Sequence, residues 1–249
     1  SFIVIHVSNE RSVMYILIAF IFIHLKNWSH LKIMKLSFAI TVCNESKDLY
    51  SLISFLKKVK HDDDEINILL DTLHTNETTR DVLKRFKDDI VLNERDFCGN
   101  FSVHRNFHLK RCKGDYIFII DADEMPKELL INTIRKAIEE HAHDLFAIPR
   151  INIHPGSTQE WLDKHGFKVN EMDWINWPDY QSRVFKNDSK IFYENALHER
   201  VVGAVSPVFL EAEPRIAIWH IKSIEKQDNR WEDGKYNIPD GKNFTDTLL

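Results

Sequence analysis

Apolar residues recur along this chain in two rhythms that take turns. Leu36–Val42, "LSFAITV", is an unbroken apolar and β-branched run that stops at Cys43-Asn44-Glu45-Ser46. Such a run predicts a buried strand followed by a polar turn. Residues 47–59 then place Leu49, Leu52, Ile53, Leu56 and Val59 at helical spacing, with Ser46 as N-cap. The alternation continues. Residues 65–72 predict a strand ending at Asp71, 77–89 a helix, and 89–94 a short strand. Residues 101–112 predict a helix terminated by Gly114, and 115–124, "DYIFIIDADE", a fourth strand. Pro126 stands as first helical residue for 127–141, and 144–153 predicts a further strand.

Strands that are apolar without interruption are buried on both faces, so the pattern predicts an α/β fold. It is a three-layer sandwich with a mostly parallel central sheet. Ligands of such sheets bind beyond the carboxyl ends of the strands. The polar clusters Asn44-Glu45, Asp71 and Asp121-Ala122-Asp123 all fall at those ends. After residue 154 the periodicity weakens. Residues 154–181 hold three of the six tryptophans and read as lid or binding loops. Residues 182–188 and 191–203 predict a hairpin-like pair, and 215–223 a last strand. Repeats and low-complexity tracts are absent.

The bulk numbers narrow the class. The chain has 249 residues, suiting one large domain with or without an appendage. A net charge of -5 gives no basic excess for nucleic-acid phosphates, so nucleic acid is not an expected partner. Cys43, Cys98 and Cys112 are scattered and not in CxxC spacing, and read as free thiols of a reducing compartment. The apolar run Val13–Leu25 is shorter than the roughly 18–20 residues of a spanning helix. Residues 1–33 are expected to be an extension: a weak anchor, a packing helix, or a stretch foreign to the working protein. Residues 34–249 are expected to form the domain, in two halves, 34–125 and 126–249. A cytoplasmic location is expected, with peripheral membrane association left open.

The chemistry gathers at "DADE". In an extended chain Asp121 and Asp123 share a face, and paired carboxylates suit Mg2+ or Mn2+ bridging the protein to a diphosphate. A solvated strand end would carry the same pattern. Here the chain resembles the family 2 glycosyltransferases, of the nucleotide-sugar fold called GT-A (Rossmann-like). "FAITVCNES", "ILLDTLHTNETT" and above all "VHRNFHLKRCKGDYIFIIDADE" carry the resemblance, over about Lys35 to Ser223. "DYQSRVF" and "ENALHERV" resemble a bacterial-type subgroup that builds lipopolysaccharide or related glycans. Leu73, Glu77 and Asn76 depart from the family's pattern after the second strand.

The resemblance implies a metal-dependent transferase moving a sugar from a nucleotide-sugar donor, of which UDP-sugar is favoured, to a glycan, lipid-linked or protein acceptor, with 34–125 as the nucleotide-binding half and 126–249 as the acceptor-binding half. It implies that Thr41 and Asp71 contact the base, that Asn44 and Glu45 shape its pocket, and that Arg105 lies near the diphosphate. Asp121 would approach the ribose and the metal, and Asp123 would bind the metal. Inverting transfer needs a carboxylate base, for which Glu199 stands first and Asp179 second. His220 is the expected third metal ligand. Arg183 and His198 are candidates for phosphate or acceptor contacts. Three rival readings remain. A haloacid-dehalogenase-type phosphatase would carry DxD on its first strand and not its fourth. A nucleotidyltransferase would show a glycine-rich loop after the first strand. A degenerate sugar-nucleotide-binding scaffold would keep the fold without turnover.

Overall fold

The computed structural model describes residues 34–225 and Asp228. The expectations for residues 1–33 therefore lie outside the described residues. No helix among the described residues is long and apolar enough to cross a membrane.

One nine-stranded sheet organises the domain. Strands β1 (Leu36–Val42), β2 (Glu65–Asp71), β3 (Val91–Arg95) and β4 (Tyr116–Asp121) are mutually parallel, in the order β3-β2-β1-β4. Three helices make the crossovers: α1 (Ser46–Val59), α2 (Glu77–Arg85) and α3 (Phe101–Leu109). Beyond β4 the sheet turns mixed. The short β5 (Glu124–Met125) is followed by α4 (Glu128–Glu140), β6 (Leu145–Ile153), α5 (Gln159–His165) and β7 (Ile175–Lys186). Strand β7 runs antiparallel between β4 and β6. A separate hairpin pairs β8 (Phe192–Glu194) with β9 (Arg200–Val202). Strands β10 (Pro207–Phe209) and β11 (Ile218–Ile221) both lie parallel to β6, and β11 carries β5 on its far side.

The pleat sorts side chains onto two faces. Leu36, Phe38 and Ile40 of β1 and Phe118 and Ile120 of β4 pack with Leu49, Leu52, Ile53 and Leu56 of α1 and Leu130, Ile131 and Ile134 of α4. Ala39, Ile117 and Ile119 point the other way, onto Leu109 of α3 and onto Ile191 and Tyr193 at the hairpin. These are the three layers expected. Each buried Leu of α1 contributes roughly 1.5–3 kcal/mol relative to exposure.

Several boundaries differ from the sequence expectation for local reasons. Ser46 lies inside α1, and the cap position belongs to Glu45. The Glu45 carboxylate turns back to accept from the Cys43 and Asn44 amides, both at 3.0 Å. Asn76 caps α2 by accepting from Thr79 N at 2.8 Å. Gly114 is not the terminator of α3, which ends at Leu109. A side chain there would meet Ser37 N at 2.5 Å, so the glycine permits close passage of two backbones. Pro126 precedes the cap residue Lys127 and stands outside α4. Residues 182–186 extend β7, and the hairpin forms wholly within 191–203.

Candidate active site

A cleft of about 860 Å³ opens where β1, β2, β4 and β6 end. Its wall includes Thr41, Asn44, Glu45, Asp71, Arg105, Asp121, Asp123, Asp179 and His220, so nine of the residues singled out from the sequence meet in one cavity. Arg183 lies beneath it, buried. His198 is exposed on the loop after β8 at a φ of 52°, and neither it nor Glu199 is part of that wall.

The cleft floor is a chain of alternating charges. On α3, Arg105 Nε donates to Glu199 Oε1 at 2.6 Å and its Nη2 donates to Asp121 Oδ1 at 2.9 Å. Arg183 Nη2 donates to Asp121 Oδ2 at 2.9 Å and also to Glu124 Oε1. Arg150 Nη1 donates to the same Glu124 oxygen at 2.9 Å. Its Nε and Nη2 grip Asp179 Oδ2 at 3.0 and 2.7 Å. Arg183 is the extra residue of a β-bulge: Val184 opposes Phe146 and Ser182 opposes Ala147, leaving Arg183 without an opposite residue. Bulges commonly re-aim a side chain beside a site.

These contacts set the charge states. Burial opposes ionisation of Asp121, but Arg105 and Arg183 outweigh it and hold the carboxyl well below its ordinary range. Burial likewise opposes ionisation of Asp179. Arg150 and hydrogen bonds from Asn152 and Gln181 prevail and lower its pKa. Desolvation would lower the pKa of Arg105, yet Asp121, Tyr193 and Glu199 raise it well above the usual value.

Asp121 and Asp123 both line the cleft, but not as alternate residues of one strand. Strand β4 stops at Asp121 and the chain turns through residues 122–123. Asp121 therefore anchors the guanidiniums with both oxygens, while Asp123 faces the cleft from the turn. Across from it, His220 Nε2 lies 3.7 Å from Asp123 Oδ2. The tautomer follows from a relay. Asn152 Nδ2 donates to Asp179 Oδ2 at 2.8 Å, so Asn152 Oδ1 is free to accept the His220 Nδ1 proton across 2.9 Å. The lone pair of His220 Nε2 is thereby left on the Asp123 side.

Asp71 is heavily engaged. Its Oδ1 accepts from Leu73 N at 3.0 Å and Phe97 N at 3.1 Å, and its Oδ2 meets His74 Nδ1 at 2.5 Å. Thr41 Oγ1 and Arg105 Nη1 are buried without a hydrogen-bond partner among the described residues. Sequence reasoning passed over Glu124, Arg150, Asn152, His74 and His104. A signal existed for two of them: Arg150, Asn152 and His154 are polar at alternate positions at the end of an otherwise apolar strand. Among the described residues no group of three or more His, Cys, Asp or Glu converges on a ready-made metal site.

The family model for Glycosyl transferase family 2 matches residues 37–198. The chain belongs to this family. It is 29% identical over 114 residues to poly(ribitol-phosphate) beta-N-acetylglucosaminyltransferase TarP of Staphylococcus aureus (strain N315), covering 45% of this chain and 35% of TarP. The crystal structure of S. aureus TarS 1-349 matches with a TM-score of 0.54 at 16% identity, covering 76% of this chain and 60% of that one. TarS 1-349 in complex with UDP-GlcNAc gives 0.53 at 16% identity, over 76% and 59%. The structural likeness shows the GT-A fold. The chain thus spans about a third of the curated relative and three-fifths of the solved one.

Proposed function

We propose that this chain is a metal-dependent, inverting glycosyltransferase that moves a sugar from a UDP-sugar to a hydroxyl of a glycan. The observation carrying the reading is the Asp123–His220 pair in the same cleft as Thr41, Asp71 and Asp179. The family relation to TarP, and TarS in complex with UDP-GlcNAc, support the donor class.

The residues suit a divalent ion. Two ligands at about 2.0–2.2 Å from one ion stand roughly 3 Å apart when adjacent and a little over 4 Å when opposed. Asp123 Oδ2 and His220 Nε2, 3.7 Å apart, match neither spacing as they stand and would close by less than about 1 Å to sit as adjacent ligands. Asp123 and His220 would hold Mn2+ or Mg2+, with the donor's phosphates supplying further oxygens. The ion would offset charge on the leaving diphosphate. Arg105 supports the same end of the cleft, because its buried Nη1 has no acceptor among the described residues and a phosphate oxygen would provide one.

Asp179 is the base in this reading. It lines the cleft, it is held ionised, and three donors load its Oδ2. Among the described residues its Oδ1 accepts only from Gln181 Nε2, at 2.8 Å, and keeps a lone pair for the acceptor's hydroxyl proton. Glu199 acts instead through Arg105, fixing the guanidinium with its 2.6 Å bond.

The deciding experiment follows UDP release from a UDP-sugar panel, with and without Mn2+, for wild type, Asp123→Ala and Asp179→Asn. The expected result is metal-dependent release by wild type, loss of UDP and metal binding in Asp123→Ala, and retained binding with lost release in Asp179→Asn. Folded wild-type protein that binds no nucleotide under any metal condition would overturn the reading.

A further inference from the structure

A second cavity, of about 380 Å³, lies by the amino end of β4, away from the cleft at the strand's carboxyl end. Its size is that of a small-molecule site. The wall comes from α3, β4, the end of β7 and the loop that leads into β8. Leu109, Ile117, Phe185, Ile191 and Phe192 make it largely apolar. Its two amide side chains are engaged with backbone. Asn106 Nδ2 donates to Tyr193 O and its Oδ1 accepts from Tyr193 N, both at 2.8 Å. Asn187 Nδ2 donates to the carbonyls of Cys112 and Gly114, at 3.0 and 2.9 Å. The interior therefore suits an aliphatic chain better than a sugar or a nucleotide, whose polar groups would go unmatched.

The mouth has a different character. Lys110 and Lys186 belong to the same wall and both are exposed, with no ion pair among the described residues. The acid of the wall, Asp188, turns its Oδ1 back to accept from Lys190 N at 3.0 Å. Two cations against one acid give the mouth a positive balance, complementary to an anionic head group. The wall also touches the active site from behind. Asn106 follows Arg105 on α3, and Phe192 precedes Tyr193 on β8. The Arg105 guanidinium carbon stands 5.5 Å from the centre of the Tyr193 ring.

We infer that this cavity binds an amphiphilic anion, its aliphatic chain among the apolar residues and its carboxylate or phosphate head on Lys110 and Lys186, and that the occupant tightens the grip on the donor. A chain seated between α3 and β8 packs against the two segments that fix Arg105, one carrying it and the other lying under its guanidinium. Ordering those segments spares the donor's diphosphate part of that cost, so each ligand strengthens the other by the same factor. The coupling rests on the donor reading above, whereas the binding of the amphiphile does not.

The test is calorimetric titration of decanoate, decanol and butyrate, each below any micelle-forming concentration, into wild type, the double variant Lys110→Gln/Lys186→Gln, and Ser189→Trp, whose indole would block the mouth. All three positions are exposed, and circular dichroism checks folding. Expected is saturable decanoate binding by wild type, about fivefold tighter than decanol, the scale of one or two exposed ion pairs. Butyrate is expected not to bind. The double variant should bind decanoate no better than decanol, and Ser189→Trp should bind neither. UDP with Mn2+ is expected to bind at least about threefold tighter at saturating decanoate, a coupling at the low end of the usual scale. Absence of saturable decanoate binding, equal affinity for decanoate and decanol, or undiminished binding in Ser189→Trp overturns the inference, as does UDP affinity that ignores decanoate. Saturable decanoate binding by a protein that binds no UDP sinks the donor reading and leaves the cavity's ligand standing. Sedimentation with phosphatidylglycerol vesicles, competed away by decanoate, assigns the amphiphile to a membrane; decanoate binding without sedimentation assigns it to a free molecule, and either upholds the site.

Discussion

At the scale of single residues, the site divides its carboxylates by what already holds them. Asp121 and Glu124 are committed to guanidiniums, whereas Asp179 Oδ1 has one donor and Asp123 faces a histidine nitrogen. Replacing Asp179 with Asn is therefore expected to lower kcat by about 10²–10⁴-fold while UDP binding survives, the range for a lost general base. Glu199→Gln loosens Arg105 and is expected to raise the donor KM more than it lowers kcat; steady-state kinetics on both variants separate the roles. The pH profile gives an independent check. With Asp179 as the proposed base, activity needs it ionised, and its lowered pKa puts the expected acid limb below the ordinary carboxylate range. Arg150→Gln removes the chief cause of that lowering, so the limb of kcat/KM moves to higher pH.

At the scale of elements, what the sequence disclosed depended on how far the determining contacts reach. Strands β1, β2 and β4 and helix α1 were legible because an apolar run or a helical stripe carries its own burial requirement. The expected role for Gly114 failed because a glycine between helix and strand serves either a left-handed cap or a close approach, and only the neighbouring strand decides. Gly114→Ala is expected to cost about 2 kcal/mol or more, since its Cβ would meet backbone atoms of Leu36 and Ser37. At this size that lowers Tm by about 4–8 °C in a thermal melt. Leu52→Ala in α1 leaves a cavity under the sheet and costs about 2–5 kcal/mol by chemical denaturation. The bulge at Arg183 and the partnership of β5 with β11 were not legible, because both arise from pairing choices between distant segments. The alternation argument for Asp121 and Asp123 assumed a strand that the fold interrupts, although both carboxylates still reach the one cleft.

At the scale of the whole molecule, two buried histidines link stability to pH. His104 and His108 are held neutral mainly by desolvation, with pKa lowered to about 4 and about 3. The unfolded chain binds those protons near pH 6.5, so between pH 6.5 and 4 it carries more protons than the native state, and stability falls as pH falls. Denaturant titrations at pH 7, 5.5 and 4.5 should show the midpoint dropping, and His104→Phe should flatten the drop. The topology also fixes an order of events. Segment β5, with Glu124, has β11 as its strand partner, and His220 stands on β11 opposite Glu124. The parallel strands β1 to β4 close over short crossovers and can form early as the chain leaves the ribosome. The acid turn cannot acquire its histidine until nearly a hundred further residues have been made. A growing chain therefore holds the strand ends of Thr41, Asp71 and Asp121 long before β11 arrives, and the pairing of Asp123 with His220 is precluded until then by the order of synthesis.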